Sequence, residues 1–283
     1  MDICIFYFSG TGNTWWASNK LAEELSNRGR LVEVHSIEVL SVEKTAELIE
    51  DTETIIFGYP IYGSCIPEPM RKFIDNLPES SKNKKTGIFC TQMEFSGDGA
   101  WYYHKTLENK GYDIKWTYHF KMPCNISLNI WLLPYTTNNL KLNKIFKKCE
   151  NKIEKSAEDI ATFVPFYKGN GFGSLLMGLM QRPIFKAWTK RPFKSPYKVE
   201  PDKCVKCMRC IKICPEDNIK LIDNEITFGT ECAFCMRCYN FCPENAISVY
   251  GFSHKQNMTT YRGPEGFDPA LITKSKNPMD FID

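Results

Sequence analysis

Eight cysteines toward the C-terminal end stand in two runs, Cys204, Cys207, Cys210, Cys214 and Cys232, Cys235, Cys238, Cys242. Each run reads Cys-x2-Cys-x2-Cys-x3-Cys followed by a proline, Pro215 or Pro243, and the second repeats the first at an offset of 28 residues. Three thiolates at successive x2 intervals close around one face of an iron–sulfur cube, and the fourth ligand has to come from elsewhere. A zinc module would instead pair two Cys-x2-Cys knuckles across a longer gap. Each run also leads into a short apolar tail, Asn218-Ile219-Lys220-Leu221 or Asn245-Ala246-Ile247-Ser248-Val249, so the unit reads as an internal duplication.

Residues 199–250 resemble bacterial two-cluster ferredoxins, including the proline after each run. In that family the last cysteine of a run ligates the other cluster. The resemblance therefore implies two 4Fe-4S clusters. One would sit on Cys204, Cys207, Cys210 and Cys242, the other on Cys232, Cys235, Cys238 and Cys214. Lys203, Lys206, Arg209 and Lys212 surround the first run, whereas Glu231 and Arg237 nearly balance at the second, so the first cluster is expected at the higher potential.

A second chemical signal lies near the N-terminus. Phe8-Ser9-Gly10-Thr11-Gly12-Asn13-Thr14 separates an apolar run from a helical pattern, a position where backbone N–H groups and the helix dipole favour an anion. The hydroxyls of Ser9, Thr11 and Thr14 add donors without charge. Neither Gly-Lys-Ser/Thr nor Gly-x-Gly-x-x-Gly is present, so the loop suits a monophosphate. The plainer alternative is a hydroxyl-rich turn that only caps a helix.

Residues 1–163 resemble flavodoxins, whose Ser/Thr-x-Thr-Gly-x-Thr loop holds the phosphate of FMN at the C-terminal edge of a parallel sheet. By that resemblance Ser9, Gly10, Thr11, Gly12, Asn13 and Thr14 bind the phosphate. Two further loops would grip the isoalloxazine: Pro60, Ile61, Tyr62 and Gly63 after the third strand, and Thr91, Gln92, Met93, Phe95 and Gly97 after the fourth. Tyr62 is the candidate for stacking on the ring, and the Gln92–Gly97 backbone for hydrogen bonds to its polar edge.

Short apolar stretches that can position these loops as strands cover residues 2–8, 31–37, 54–57, 87–91 and 114–120, and helical patterns cover 13–29 and 142–163. Strands alternating with helices imply an α/β doubly wound parallel sheet. The flavodoxin resemblance makes it five-stranded with order 2-1-3-4-5, followed by an α+β two-cluster ferredoxin domain. The expected division is a flavodoxin-like unit over 1–163, a Pro-rich connector over 164–198, the cluster unit over 199–250 and an extension over 251–283.

At 283 residues and 43% hydrophobic composition the chain has material for one ordinary domain and a smaller one. The net charge of +3 is uneven: residues 164–199 carry seven basic residues and no acid, +7 against a total of +3, which leaves −4 elsewhere. No nucleic-acid motif accompanies that block. Leu175, Leu176, Leu179 and Met180 with the basic residues after them could form a membrane-docking helix. With Pro183 breaking the pattern, the segment reads instead as a connector helix packed between the two domains. No apolar run reaches the roughly 20 residues of a membrane span, and Met1-Asp2-Ile3-Cys4-Ile5 lacks a basic lead-in to a signal peptide. Thirteen cysteines, eight of them in the two runs, suit a reducing, cytoplasmic setting.

Cys4, Cys90, Cys124 and Cys149 read as small buried hydrophobes, Cys65 sits near the second loop, and the histidines show no metal spacing. The whole resembles flavodoxin/ferredoxin fusions. That implies electron relay between FMN and two clusters, with redox proteins as partners. The alternative is a ferredoxin-fed flavin oxidoreductase that reduces a small molecule at FMN; no nicotinamide-binding domain is evident.

Overall fold

The computed structural model describes residues 1–80, 83–126, 135–189, 195–254 and 260–274. The first part alternates β1 (Ile3–Tyr7), α1 (Asn13–Ser26), β2 (Val32–Ser36), α2 (Val42–Glu50), β3 (Thr54–Pro60), α3 (Glu68–Asp75), β4 (Lys84–Gln92), α4 (His104–Asn109), β5 (Tyr112–Lys121) and α5 (Asn139–Ala161). All five strands pair in parallel in the expected order β2-β1-β3-β4-β5. A sixth strand, β6 (Phe166–Tyr167), extends the edge alongside Trp116 and Thr117, where the expectation was a five-stranded sheet. So short a strand carries no periodicity to read.

The central strands are apolar on both faces because helices cover both. Ile3 and Ile5 of β1 join Leu21 and Leu25 of α1 and Ile153 and Ile160 of α5, while Cys4 and Phe6 point the other way, toward Leu48, Met70, Ile74 and Leu107. α5 starts before the expected residue 142 because the Asn138 side chain accepts the Lys141 N–H at 3.0 Å and caps it.

The segment expected as a connector contributes β6 and then α6 (Phe172–Thr189), which runs on through Pro183. Pro183 and Leu179, whose carbonyl loses its partner, are both exposed, so water rather than a dry core surrounds the broken turn. The C-terminal unit is built from β7 (Tyr197–Val199), α7 (Arg209–Lys212), β8 (Ile219–Ile222), β9 (Glu225–Phe228), α8 (Arg237–Asn240) and β10 (Ile247–Val249). Its two antiparallel pairs are β7 with β10 and β8 with β9.

Residues 260–274 then return to the first part. Phe267 and Ile272 are buried with Tyr7, Ile213 and Phe241 against Trp15, and the Ser36 hydroxyl donates to the Ile272 carbonyl at 2.7 Å. One apolar cluster thus joins the sheet, the cysteine-bearing unit and the tail. Among the described residues no helix is long and apolar enough to cross a membrane.

Candidate iron–sulfur and flavin sites

The eight cysteines gather into two cages. Cys204, Cys207, Cys210 and Cys242 line one small cavity, walled by Val199, Met208, Ile226 and Ile247. Cys214, Cys232, Cys235 and Cys238 line a second, walled by Tyr197, Ile219, Phe228 and Met236. Each cage draws three thiols from one run and the fourth from the other.

The duplication extends to the backbone. Lys206 and Met208 in the first run, and Phe234 and Met236 in the second, take left-handed φ between 52° and 63°. Left-handed residues in such tight loops turn backbone N–H groups into a concavity that receives anionic sulfur. Phe234 N–H reaches Cys232 Sγ at 3.4 Å in such a loop, and after the second run Ala246 N–H reaches Cys242 Sγ at 3.3 Å. α7 and α8 follow at matching positions and carry the last spaced cysteines away from the loop.

This donor set fits iron–sulfur clusters. Burial first, and then the neighbouring Cys207, Cys242 and Cys204, push the Cys210 thiol up to about 12. Four thiols facing one another in an apolar cage need bound cations to ionise together.

The cages differ in exposure. Cys207 is exposed, with Lys203, Val205 and Lys206 around it. Cys235, 8% exposed, belongs to the same core cluster as Phe6, Phe8 and Tyr59 of the sheet. The cationic surroundings of the first run are thinner than the sequence implies, since Lys203 pairs with Glu200 at 2.6 Å and Arg209 with Asp268 at 3.0 Å. Arg237 does not balance Glu231. It is wholly buried and pairs with Glu38 of the sheet domain at 2.5 Å.

The three loops expected to hold a flavin do meet at the C-terminal edge of the sheet. Thr14 and Thr91 exchange a hydroxyl hydrogen bond at 2.8 Å. The residue types suit FMN, but the space is taken. Ser9, Thr11 and Thr14 are at most 2% exposed. The Ser9 hydroxyl accepts the Gly12 and Trp15 N–H groups, each at 3.2 Å, and Thr11 Oγ1 is bonded by Asn125 at 3.0 Å. Asn13 donates to the Pro123 carbonyl at 2.9 Å and accepts the Tyr261 hydroxyl at 2.6 Å.

The tail lies directly on the loop. A Cβ at Gly12 would stand 2.7 Å from the Phe267 ring and 2.8 Å from Pro264, and one at Gly263 would collide with the Thr11 carbonyl. Gly10 is equally tight, with the Cys235 carbonyl 2.6 Å from the same imagined position. The ring loops are covered too. Gly63 abuts Phe185 and Gly97 abuts Gly178, both of α6, while Phe95 points outward at 63% exposure. Pro60 and Ile61 are half-buried, Gln92 bonds Ser96, and Met93 is half-buried. The tail and α6 thus cover all three loops in this conformation.

Tyr62 points into the seam between the loop and the second cage. Its hydroxyl is buried and has no hydrogen-bond partner among the described residues, and burial and then the nearby Cys235 push its pKa up. A buried donor without an acceptor costs about 1–3 kcal/mol, and sulfur of the loaded second cage is the acceptor class beside it. Tyr62→Phe is expected to lower the potential of that cluster and leave the first unchanged, because a lost donor stabilises the extra electron less. A redox titration followed by EPR in which neither signal moves would show that the hydroxyl serves packing alone. No motif marks Tyr62 for this place, nor Asn125, Tyr261, Phe267 or Glu38 for theirs; each becomes a site residue only through folding.

Comparison with known proteins agrees with both halves. Residues 4–118 match the family model of a flavodoxin domain, and residues 203–247 that of a 4Fe-4S dicluster domain. A flavodoxin of Clostridium saccharobutylicum is 36% identical over 98 residues, 34% of this chain, and the chain spans only 59% of that relative's length. Two-electron reduced Megasphaera elsdenii flavodoxin aligns with 55% of this chain and 98% of its own, at 23% identity and a TM-score of 0.39. Oxidised flavodoxin 2 from Bacillus cereus aligns over 56% and 99%, at 18% and 0.38. A flavodoxin domain implies FMN and a dicluster domain implies iron–sulfur clusters, so the two together support a role in electron transfer. The chain joins both modules in one polypeptide and is a flavodoxin/ferredoxin fusion.

Proposed function

We propose that the chain is an electron carrier that exchanges electrons with protein partners at its first cysteine cage and passes them inward to the second. The observation that carries this reading is the asymmetry of two otherwise matching cages: Cys207 lies at the surface, and Cys235 lies in the core of the sheet domain. A 4Fe-4S cluster in each cage supplies one-electron transfer without making or breaking substrate bonds.

The residues divide the remaining work. The four thiolates of each cage would hold the group, and the left-handed loops would offer N–H donors to its sulfurs. Lys206, exposed and adjacent to Cys207, offers an acidic partner a cationic contact. Apolar walls exclude water from the second cage.

Anaerobically prepared protein is expected to contain about eight irons per chain. Cys214→Ser should perturb the same EPR signal as Cys235→Ser, and Cys242→Ser the same signal as Cys207→Ser. Signals grouped by run rather than by cage would refute the crossed ligation. Electron exchange with an acidic redox protein should slow as salt rises, and by about the same factor in Lys206→Glu at low salt. Rapid, saturable reduction of one small compound would instead make the chain an enzyme.

A further inference from the structure

Helix α6 is docked by one face only. Gly178 approaches Asp98 so closely that no Cβ fits, Gln181 meets the Ser64 hydroxyl at 2.5 Å, Arg182 pairs with Asp98 at 2.5 Å and lies 4.0 Å over the Tyr102 ring, and Phe185 packs on Phe234. These contacts recur at three and four residues and define the inner face.

The outer face carries Phe172, Leu175, Leu176, Leu179, Met180 and Ile184. Their spacing, i, i+3, i+4, i+7, i+8 and i+12, is an unbroken apolar stripe. All six are exposed, Phe172 at 82%, Leu179 at 65% and Ile184 at 71%. Scattered apolar residues on a surface need no explanation, but six in one line on a firmly held helix mark an interaction site.

We propose that this face seats the protein on an anionic lipid surface, with α6 lying in the plane of the interface. Charge selects this occupant. Residues 164–199 hold seven basic residues and no acid, so the stripe lies in a cationic stretch of chain, with exposed Lys168 before the helix and exposed Lys186 near its end. Basic residues flanking an apolar helical face complement a bilayer that carries negative headgroups. A second copy of the chain would bring the same positive border against it and be repelled. The helix lies on the membrane rather than through it, since its inner face is occupied and no described helix is long and apolar enough to span.

The full-length chain, prepared anaerobically, is expected to pellet with vesicles of phosphatidylglycerol and phosphatidylcholine. Binding should weaken at least about tenfold on phosphatidylcholine alone, or in high salt. Leu176→Glu with Leu179→Glu should weaken it by a similar factor without shifting the thermal midpoint, because both side chains are exposed. Equal pelleting of parent and double variant, or no preference for the anionic lipid, would overturn the proposal. So would a chain that ignores vesicles but forms a dimer abolished by the double variant, which would assign the face to a second copy.

Discussion

Replacing Arg237 by methionine will destabilise the folded chain by about 3–5 kcal/mol, the usual cost of removing one partner from a buried ion pair. Its guanidinium is fully buried and donates to both carboxylate oxygens of Glu38, at 2.8 and 2.5 Å. It also reaches the carbonyls of Ser9 at 2.5 Å, Gly10 at 3.1 Å and Ile213 at 3.2 Å, and the Thr273 hydroxyl at 2.8 Å. One side chain thus ties the phosphate-type loop, the sheet domain, the first cysteine run and the tail. Its loss leaves the Glu38 carboxylate without a counter-charge in a dry place. Lysine cannot replace the fork, because a single ammonium does not span these acceptors. Arg237→Met combined with Glu38→Leu should recover much of the loss, since the orphaned charge goes with its partner. Urea unfolding of the anaerobic protein, followed by tryptophan fluorescence, measures each case. A single variant within about 0.5 kcal/mol of the parent would show that the pair does not hold the units together.

The second large effect concerns flavin uptake. The loop that matches FMN is closed by Tyr261, Gly263, Pro264 and Phe267, so FMN has to wait for that strap to lift. Tyr261 and Phe267 are both buried, and re-exposing two such side chains costs about 3–6 kcal/mol. The apparent affinity falls by the fraction of open chains, a factor of about 10²–10⁴. Phe267→Ser is therefore expected to tighten FMN binding by at least about a hundredfold, measured by quenching of flavin fluorescence. Gly263→Ala, which presses a methyl group on the Thr11 carbonyl, should act in the same direction. Stoichiometric tight binding by the parent, unchanged in Phe267→Ser, would mean that the strap does not compete with the cofactor.

What the sequence displays is whatever depends on neighbours along the chain. The cysteine spacing is legible because three ligands of each cage lie on one turn-rich segment, and the βα pattern is legible because helices on both sides require apolar strands. Even the glycine-rich loop is recognisable. What covers that loop is not, since Phe267 and Tyr261 sit roughly 250 residues away in a stretch with no periodicity. Arg237 reads locally as a charge near Glu231, whereas its partner Glu38 lies on the far side of the sequence. Pro183 reads as a helix break because local rules count its missing N–H; the exposure of that turn, which makes the loss harmless, depends on where the helix docks. Phe95 reads as a ring contact by position and faces solvent because α6 already fills the space beside Gly97.

The crossed arrangement of the cysteines bears on how the protein is assembled and how it fails. Neither run is a self-sufficient half: each lends its last cysteine, Cys214 or Cys242, to the cage of the other. Oxidative damage to one run removes three ligands from one cage and the fourth from its twin. Chains should therefore sort into filled and empty populations with few half-loaded ones, and a cell that repairs the protein must rebuild both centres in a single event.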